Sequence, residues 1–202
     1  MNIITKPVSN TNYGGVVDQR RFIIIHANGA TANSTAHWFA NPDANVSYHY
    51  LITLNGDIWQ FVDEGERAWH AGVSYWDGVS DLNDCSIGIA IESAENENSQ
   101  LTDIQYSRLI SLITEIQHRY NIPTKYVLGH KEVSPNRKTD PLHVNMDELR
   151  DDINGIKEKP PEYYDTLVLH GVRSFEIVND TIVLRGKYIK TERGVKLDLR
   201  FL

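Results

Sequence analysis

The run Phe22-Ile23-Ile24-Ile25 is apolar at every position and ends on His26. A strand with one solvated face alternates apolar and polar residues, so a run without alternation must be covered on both faces. That places this run in the centre of a sheet with packing above and below, and it points to the α/β class. Ser86–Glu92 reads as a second strand, with Ile87, Ile89 and Ile91 on one parity and Gly88, Ala90 and Glu92 on the other. The small residues leave room for something to approach that second face. Tyr126–His130 reads as a third strand.

Other elements can be predicted around these strands. Tyr48–Leu54 and Asp57–Val62 flank Asn55-Gly56, and Asn-Gly between two β-rich runs signals a hairpin because both residues tolerate positive φ. Thr102 and Gln105 have capping-box spacing. Leu109, Leu112, Ile113, Ile116 and Tyr120 then recur at helical intervals, with Pro123 just past the end. Ser34–Ala40 and Asn145–Ile156 read as further helices, and Asn12–Gly15 as a turn. The expected fold is a central mixed β-sheet flanked by helices.

Lys157-Glu158-Lys159-Pro160-Pro161-Glu162 has the composition of a linker. Beyond it, Val195, Leu197, Leu199 and Phe201 alternate with Lys196, Asp198 and Arg200, the period of a half-buried strand. Val178–Thr181 and Arg193-Gly194 read as turns. The predicted division is one domain over residues 1–158, then a linker and a small all-β extension over residues 159–202. From Thr166 onward seven basic residues face four acidic ones, although the whole chain carries −7, and such asymmetry suggests two units.

That net charge disfavours nucleic acid as the main partner, since neutralising phosphates requires clustered Lys and Arg. A single cysteine, Cys85, rules out an internal disulfide; beside Ile87-Gly88-Ile89 it is expected to be a small buried hydrophobe. The N-terminal residues lack the apolar core of a secretory signal, and no run approaches a membrane span, so synthesis in the cytoplasm without such a signal is expected.

His26 and His130 each end a predicted strand, the place where ligand sites gather in open α/β sheets. Asp140 lies in the loop Arg137-Lys138-Thr139-Asp140-Pro141. Two imidazoles and a carboxylate make a suitable first shell for zinc with a fourth position free. Spacing alone leaves a metal site and two structural histidines about equally supported.

The surrounding motifs add to this. Gly129-His130, a loop containing Pro135, and then Lys138-Thr139-Asp140-Pro141 resemble the signature of the zinc-dependent N-acetylmuramoyl-L-alanine amidases of the amidase-2 type, a group that includes phage lysozyme-type amidases and is related to the peptidoglycan-recognition proteins. Ala68-Trp69-His70-Ala71-Gly72, Asn83 with Ser86-Ile87-Gly88-Ile89, and Val46–Ile52 with Asn55-Gly56-Asp57-Ile58 are similar to further motifs of the same family, in the same order, from about Phe22 to Leu149.

The resemblance implies that His26, His130 and Asp140 hold zinc and that Lys138 faces the reacting carbonyl. Many relatives carry a catalytic Glu where this chain has Ala90. Tyr48, just before the hairpin histidine, occupies the position of the tyrosine used by phage lysozyme-type members and is expected to assist the attacking water, with Glu92 as the alternative. His70, Trp69, Trp76 and Asn83 are candidates for substrate contact or catalysis; Trp38, Trp59 and Tyr75 rank behind Trp76 as sugar platforms. His49, of opposite parity to Tyr48, is not expected at the metal.

The expected activity is zinc-dependent hydrolysis of the amide between N-acetylmuramic acid and L-alanine, with peptidoglycan or a muropeptide as partner. The expected setting is a phage-type endolysin released to the bacterial wall by a holin. The alternatives are a cytoplasmic wall-recycling amidase, a non-catalytic peptidoglycan-binding module, and a zinc enzyme that cuts a peptide cross-link. The C-terminal extension is expected to bind the wall, pack on the amidase domain or mediate oligomers.

Overall fold

The uninterrupted apolar runs lie in the middle of a six-stranded sheet. In the computed structural model, residues 3–93, 101–157, 172–178 and 181–186 are described. In chain order these form β1 (Ile3–Thr5), β2 (Tyr13–Val16), β3 (Phe22–Ala27), α1 (Ala32–Ala40), β4 (Tyr50–Ile52), β5 (Ile58–Gln60), β6 (Glu66–Ala68), β7 (Tyr75–Trp76), β8 (Val79–Ser80) and β9 (Ser86–Ile91). There follow α2 (Asp103–Tyr120), β10 (Val127–Gly129), α3 (His130–Val133), α4 (Met146–Lys157), β11 (Val172–Val178) and β12 (Thr181–Gly186).

The main sheet runs β1-β5-β4-β9-β3-β10. Strands β4, β9, β3 and β10 are mutually parallel, while β5 is antiparallel to β4 and carries β1 parallel to itself, so the sheet is mixed as expected. The predicted hairpin across Asn55-Gly56 is β4–β5, although each strand is shorter than its apolar pattern. Gly56 has φ +83, the left-handed conformation such a turn needs.

Residues of opposite parity on β3 face different layers. Ile23 and Ile25 join Ile87, Ile89 and Ile91 of β9 beneath α2 and α4, against Leu109, Leu112, Ile113, Ile116, Leu149 and Ile153. Burying each such side chain contributes about 1.5–3 kcal/mol, so this layer anchors the central strands against the helices. Phe22 and Ile24 face the other way, into a smaller cluster with Ala71, Leu82 and Leu128. His26 shares that parity, so the strand delivers it to the less heavily covered face.

Helix α2 opens with the expected capping box, Thr102 accepting from Gln105 N and Gln105 accepting from Thr102 N. The stretch Asn12–Gly15, predicted as a turn, instead contributes to β2, which pairs antiparallel with β6. Gly14 permits this, because a Cβ there would stand 3.2 Å from the Arg67 side chain.

The chain divides into two compact units, Met1–Asn154 and Gly155–Leu202. In the second, β11 and β12 pair antiparallel with Val178 opposite Thr181. The predicted linker from residue 158, the strand at Val195–Phe201, and the turn residues Asn179-Asp180 and Arg193-Gly194 lie outside the described residues. Among the described residues no helix is long and apolar enough to cross a membrane.

Candidate metal centre

Strand register brings two distant histidines together. β10 lies beside β3 with Val127 opposite Ile23, Leu128 opposite Ile24 and Gly129 opposite Ile25, so His130 follows directly alongside His26. Their Nδ1 atoms are 3.0 Å apart, and the ring centroids are 4.4 Å apart. Asp140 reaches the same point, 3.4 Å from His26 Nδ1 and 3.2 Å from His130 Nδ1. Its loop is pinned at both ends: Lys131 N donates to Asp140 O at 2.8 Å, and the N–H groups of Arg137 and Lys138 both donate to Ser134 O at 3.0 Å. At the turn that opens α3, Glu132 accepts from Gly129 N and pairs with Arg150, which fixes His130 where the strand ends.

The three donors fit a metal ion. Ligand bonds of about 2.0–2.1 Å in tetrahedral geometry separate donor atoms by about 3.3–3.4 Å, close to the spacings found. This trio is a potential metal-binding group, with all ligand atoms within 4.8 Å of one another. Its charge state suits that role. Burial lowers the His26 pKa to about 4, against the opposing pull of Asp140, so the ring is neutral near pH 7. Burial alone would raise the Asp140 carboxyl, but hydrogen bonds from His130 and His26 outweigh it and hold the group well below the usual carboxylate range. A neutral imidazole and an ionised carboxylate are the forms that bind metal.

Tyr48 stands over this cluster, its ring centroid 5.1 Å from that of His26 and 5.4 Å from that of Phe39. Burial, helped by the charge of Asp140, raises its pKa, so it is a neutral hydroxyl. Lys138 is half-buried, and its charge contributes to the depressed pKa of His26. Ala90 lies directly opposite His26 in the sheet and is fully buried, so this position offers only a methyl group. Glu92 has both oxygens engaged by backbone: Oε1 accepts from Ala32 N at 2.6 Å and Oε2 from Leu54 N at 2.7 Å. It ties the start of α1 to the β4–β5 hairpin.

His70 and Asn83 lie behind the cluster, 6% and 5% exposed. His70 Nδ1 is 3.1 Å from His26 Nε2, and its Nε2 is 3.3 Å from Ser86 Oγ. Asn83 Oδ1 accepts from the N–H groups of both His70 and Ala71. Trp69 is partly exposed, with its indole nitrogen buried and unpartnered. Trp76 packs partly buried against the Phe22–Leu82 cluster, Lys6 covers the Trp59 ring at 3.8 Å, and Trp38 and Tyr75 are the more exposed rings at 50% and 61%. Sequence reasoning missed Ser86 and the Ala71 carbonyl, which receives His130 Nε2 at 3.0 Å. The one available signal was the small side of β9: a Cβ on Gly88 would lie 2.5 Å from the His70 ring.

His49 points away from the trio. Its Nδ1 accepts from Gly88 N, and its Nε2 donates to Glu66 O, each at 3.0 Å. Burial, followed by the charge of Arg20, lowers its pKa from 6.5 to about 3. Between those values the unfolded chain binds a proton that the folded chain refuses. Stability is therefore full above pH 6.5 and falls as pH drops, by roughly 1.4 kcal/mol per pH unit for one such group. Denaturant melts of the metal-free protein from pH 7 to pH 4 should show a shallower slope for His49→Gln than for the wild type. An unchanged slope would assign the acid sensitivity to other groups.

The chain matches the sequence model of a family described as N-acetylmuramoyl-L-alanine amidase over residues 17–143. It is 41% identical over 113 residues to the N-acetylmuramoyl-L-alanine amidase AmiD of Escherichia coli (strain K12), covering 49% of this chain and 41% of that protein. Identity to the 1,6-anhydro-N-acetylmuramyl-L-alanine amidase AmpD of Enterobacter cloacae is 37% over 113 residues, covering 55% of this chain and 59% of that protein. The chain thus spans about half the length of these curated relatives. Among solved structures it is similar to a selenomethionine derivative of AmpD, with TM-score 0.63 and 28% identity over 73% of this chain and 93% of that one. A mutant endolysin from Bacillus subtilis gives TM-score 0.61 and 28% identity over 76% and 99% of the two chains. Escherichia coli AmiD in complex with the substrate anhydro-N-acetylmuramic acid-L-Ala-D-gamma-Glu-L-Lys gives 0.58 and 29% over 75% and 67%.

Proposed function

The chain belongs to the N-acetylmuramoyl-L-alanine amidase family, and from that premise we propose that it hydrolyses the amide joining N-acetylmuramic acid to the L-alanine of the stem peptide. The observation that carries this reading is the convergence of His26, His130 and Asp140 donors at 3.0–3.4 Å in a chain of this family. Their two nitrogens and one carboxylate suit zinc, which when bound supplies a Lewis acid and acidifies water toward a pKa of about 7.

The chain's own residues supply the rest of the chemistry. Water oxygen adds to the amide carbonyl carbon, and the Lys138 ammonium stabilises the negative charge that develops on the carbonyl oxygen. Tyr48, protonated at neutral pH, orients the attacking water, takes a proton from it and passes its own to the departing amine. The C–N bond then breaks to leave a lactyl carboxylate on the sugar and a free amine on L-alanine. Ala90 offers no carboxylate and that of Glu92 is occupied by backbone, so this reading assigns water activation to Tyr48.

A phage-type endolysin acting on intact wall is the setting we favour, because Val79-Ser80-Asp81-Leu82 carries no arginine suited to anhydro-muropeptides. The neighbouring Arg67 is already paired with Asp81 and Asp84. One observation favours a second reading, a wall-recycling enzyme: the 37–40% identity to several AmpD proteins named for 1,6-anhydro-N-acetylmuramyl-L-alanine. Residues 159–202 would be an appended element that adds affinity for the wall.

The test is digestion of purified sacculi and of a soluble anhydro-muropeptide by the full chain, after chelation and after zinc is restored, with mass spectrometry of the new ends. Zinc-dependent release of stem peptides with free N-terminal L-alanine is expected, faster on sacculi. Preference for the anhydro-muropeptide would favour recycling. Cleavage of peptide cross-links alone, or no cleavage by the zinc-loaded protein, would overturn the proposal.

A further inference from the structure

Each metal-facing histidine has its second nitrogen aimed into the protein, His130 directly at a backbone carbonyl and His26 at a series of hydrogen bonds that ends on one. A carbonyl can only accept, so it dictates where the protons sit. Ser86 Oγ lies 2.5 Å from Leu82 O and must donate to it. The same hydroxyl oxygen therefore accepts from His70 Nε2 at 3.3 Å. An imidazole with its proton on Nε2 keeps a bare Nδ1, and that of His70, in a ring only 6% exposed, is turned toward His26 Nε2. That bare nitrogen, 3.1 Å away, accepts from His26 Nε2, and His26 Nδ1 is left with its lone pair free. On the other side His130 Nε2 donates to Ala71 O at 3.0 Å, which frees His130 Nδ1.

Both contacts start from adjacent residues of one segment. His70 serves His26 with its side chain, and Ala71 serves His130 with its carbonyl. Asn83 Oδ1 holds the two N–H groups of that segment at 3.0 and 2.8 Å. Arg137 Nη2 takes the second lone pair of Ala71 O at 3.0 Å. Gly88 provides the space for the His70 ring. We infer that the segment His70-Ala71, clamped by Asn83, is a brace that presets the tautomer and aim of both metal-binding histidines before any ion arrives. His70 and Asn83 are then positioning residues that act through His26 and His130 and do not touch substrate. Outer partners of this kind are typically worth 10–100-fold in metal affinity.

The inference rests on His26 and His130 being zinc ligands, so the experiment first measures zinc affinity of the wild-type full chain by competition with a chelating dye. It then compares pairs of variants. His70→Phe removes the acceptor, and its zinc dissociation constant should rise roughly 10–100-fold. His70→Asn places an acceptor oxygen near the position of Nδ1 and should stay within about threefold of wild type if the outer contact is what matters. Asn83→Leu should weaken binding by roughly 10-fold or more, and Asn83→Asp, which keeps the accepting oxygens, should restore it. Cobalt in place of zinc should give altered visible bands in His70→Phe and Asn83→Leu and wild-type bands in the two rescuing variants. Thermal melts of the metal-free proteins identify any variant that fails to fold. Should His70→Phe be one, Ser86→Ala breaks the same series at its far end and should still weaken zinc binding severalfold.

Wild-type zinc affinity and cobalt bands in His70→Phe or Ser86→Ala, with amide hydrolysis lost, would overturn the brace and return His70 to substrate contact. No zinc binding by the wild type would instead overturn the ligand reading itself, and the brace with it.

Discussion

Alanine in place of His130 is expected to leave the protein without stoichiometric zinc and to reduce amide hydrolysis by more than about a hundredfold, beyond the usual cost of losing an outer partner of a metal ligand. His130 is 2% exposed and lies at the centre of the trio, 3.0 Å from His26 and 3.2 Å from Asp140. Removing it takes away one of three donors and leaves a cavity beside a carboxylate held ionised by its two histidines. Asp140→Asn keeps an oxygen donor but loses the negative charge, and an intermediate loss of zinc is expected. Metal analysis per chain after dialysis, alongside release of stem peptide from sacculi, reads both effects. One zinc per chain in both variants would show that the metal is held elsewhere.

Tyr48→Phe is expected to have the next largest effect and to separate metal binding from turnover. The ring stays, so its packing against His26 and Phe39 is kept, and zinc should bind as in the wild type. Only the hydroxyl is lost. A positioned proton donor or acceptor is typically worth roughly 10²–10⁴ in rate, and kcat should fall within that range while KM changes little. Glu92→Gln is the comparison. Its carboxylate bonds the backbone N–H groups of Ala32 and Leu54, so the substitution should lower the melting temperature and spare kcat. Full activity in Tyr48→Phe together with a collapse in kcat of Glu92→Gln would transfer the role to Glu92.

The two carboxylate positions show how far sequence reasoning reaches. That Ala90 replaces the glutamate of many relatives was legible through the Ser-Ile-Gly-Ile motif, whereas its place directly opposite His26 came only with the register of β3 and β9. That Glu92 is fully engaged was not, since its partners, Ala32 and Leu54, lie far away in sequence and are met only through backbone atoms. His70 illustrates the same limit. Its motif could be read as lining a groove, but whether its ring faces substrate or the back of His26 depends on the space above Gly88. Strand ends were overextended in sequence, at Tyr48–Leu54 for example, because apolar residues continue into segments where the ladder hydrogen bonds stop.

Periodicity and turn chemistry by themselves determined the layered α/β architecture, the hairpin at Asn55-Gly56 and the capping box of α2, while the resemblance of their motifs to the amidase family is what singled out His26, His130 and Asp140 as a set. These are local properties: burial pattern, turn chemistry and side-chain type act within a few residues. Tertiary structure alone decided that β10 pairs with β3 in the register that brings His26 and His130 to 3.0 Å, and that Asp140 returns to meet them. It also decided that Leu82 O and Ala71 O, which any sequence could supply, receive the outer protons of the site. Backbone carbonyls carry no signature in the sequence, and a parallel pairing across about a hundred residues is set by the packing of whole layers.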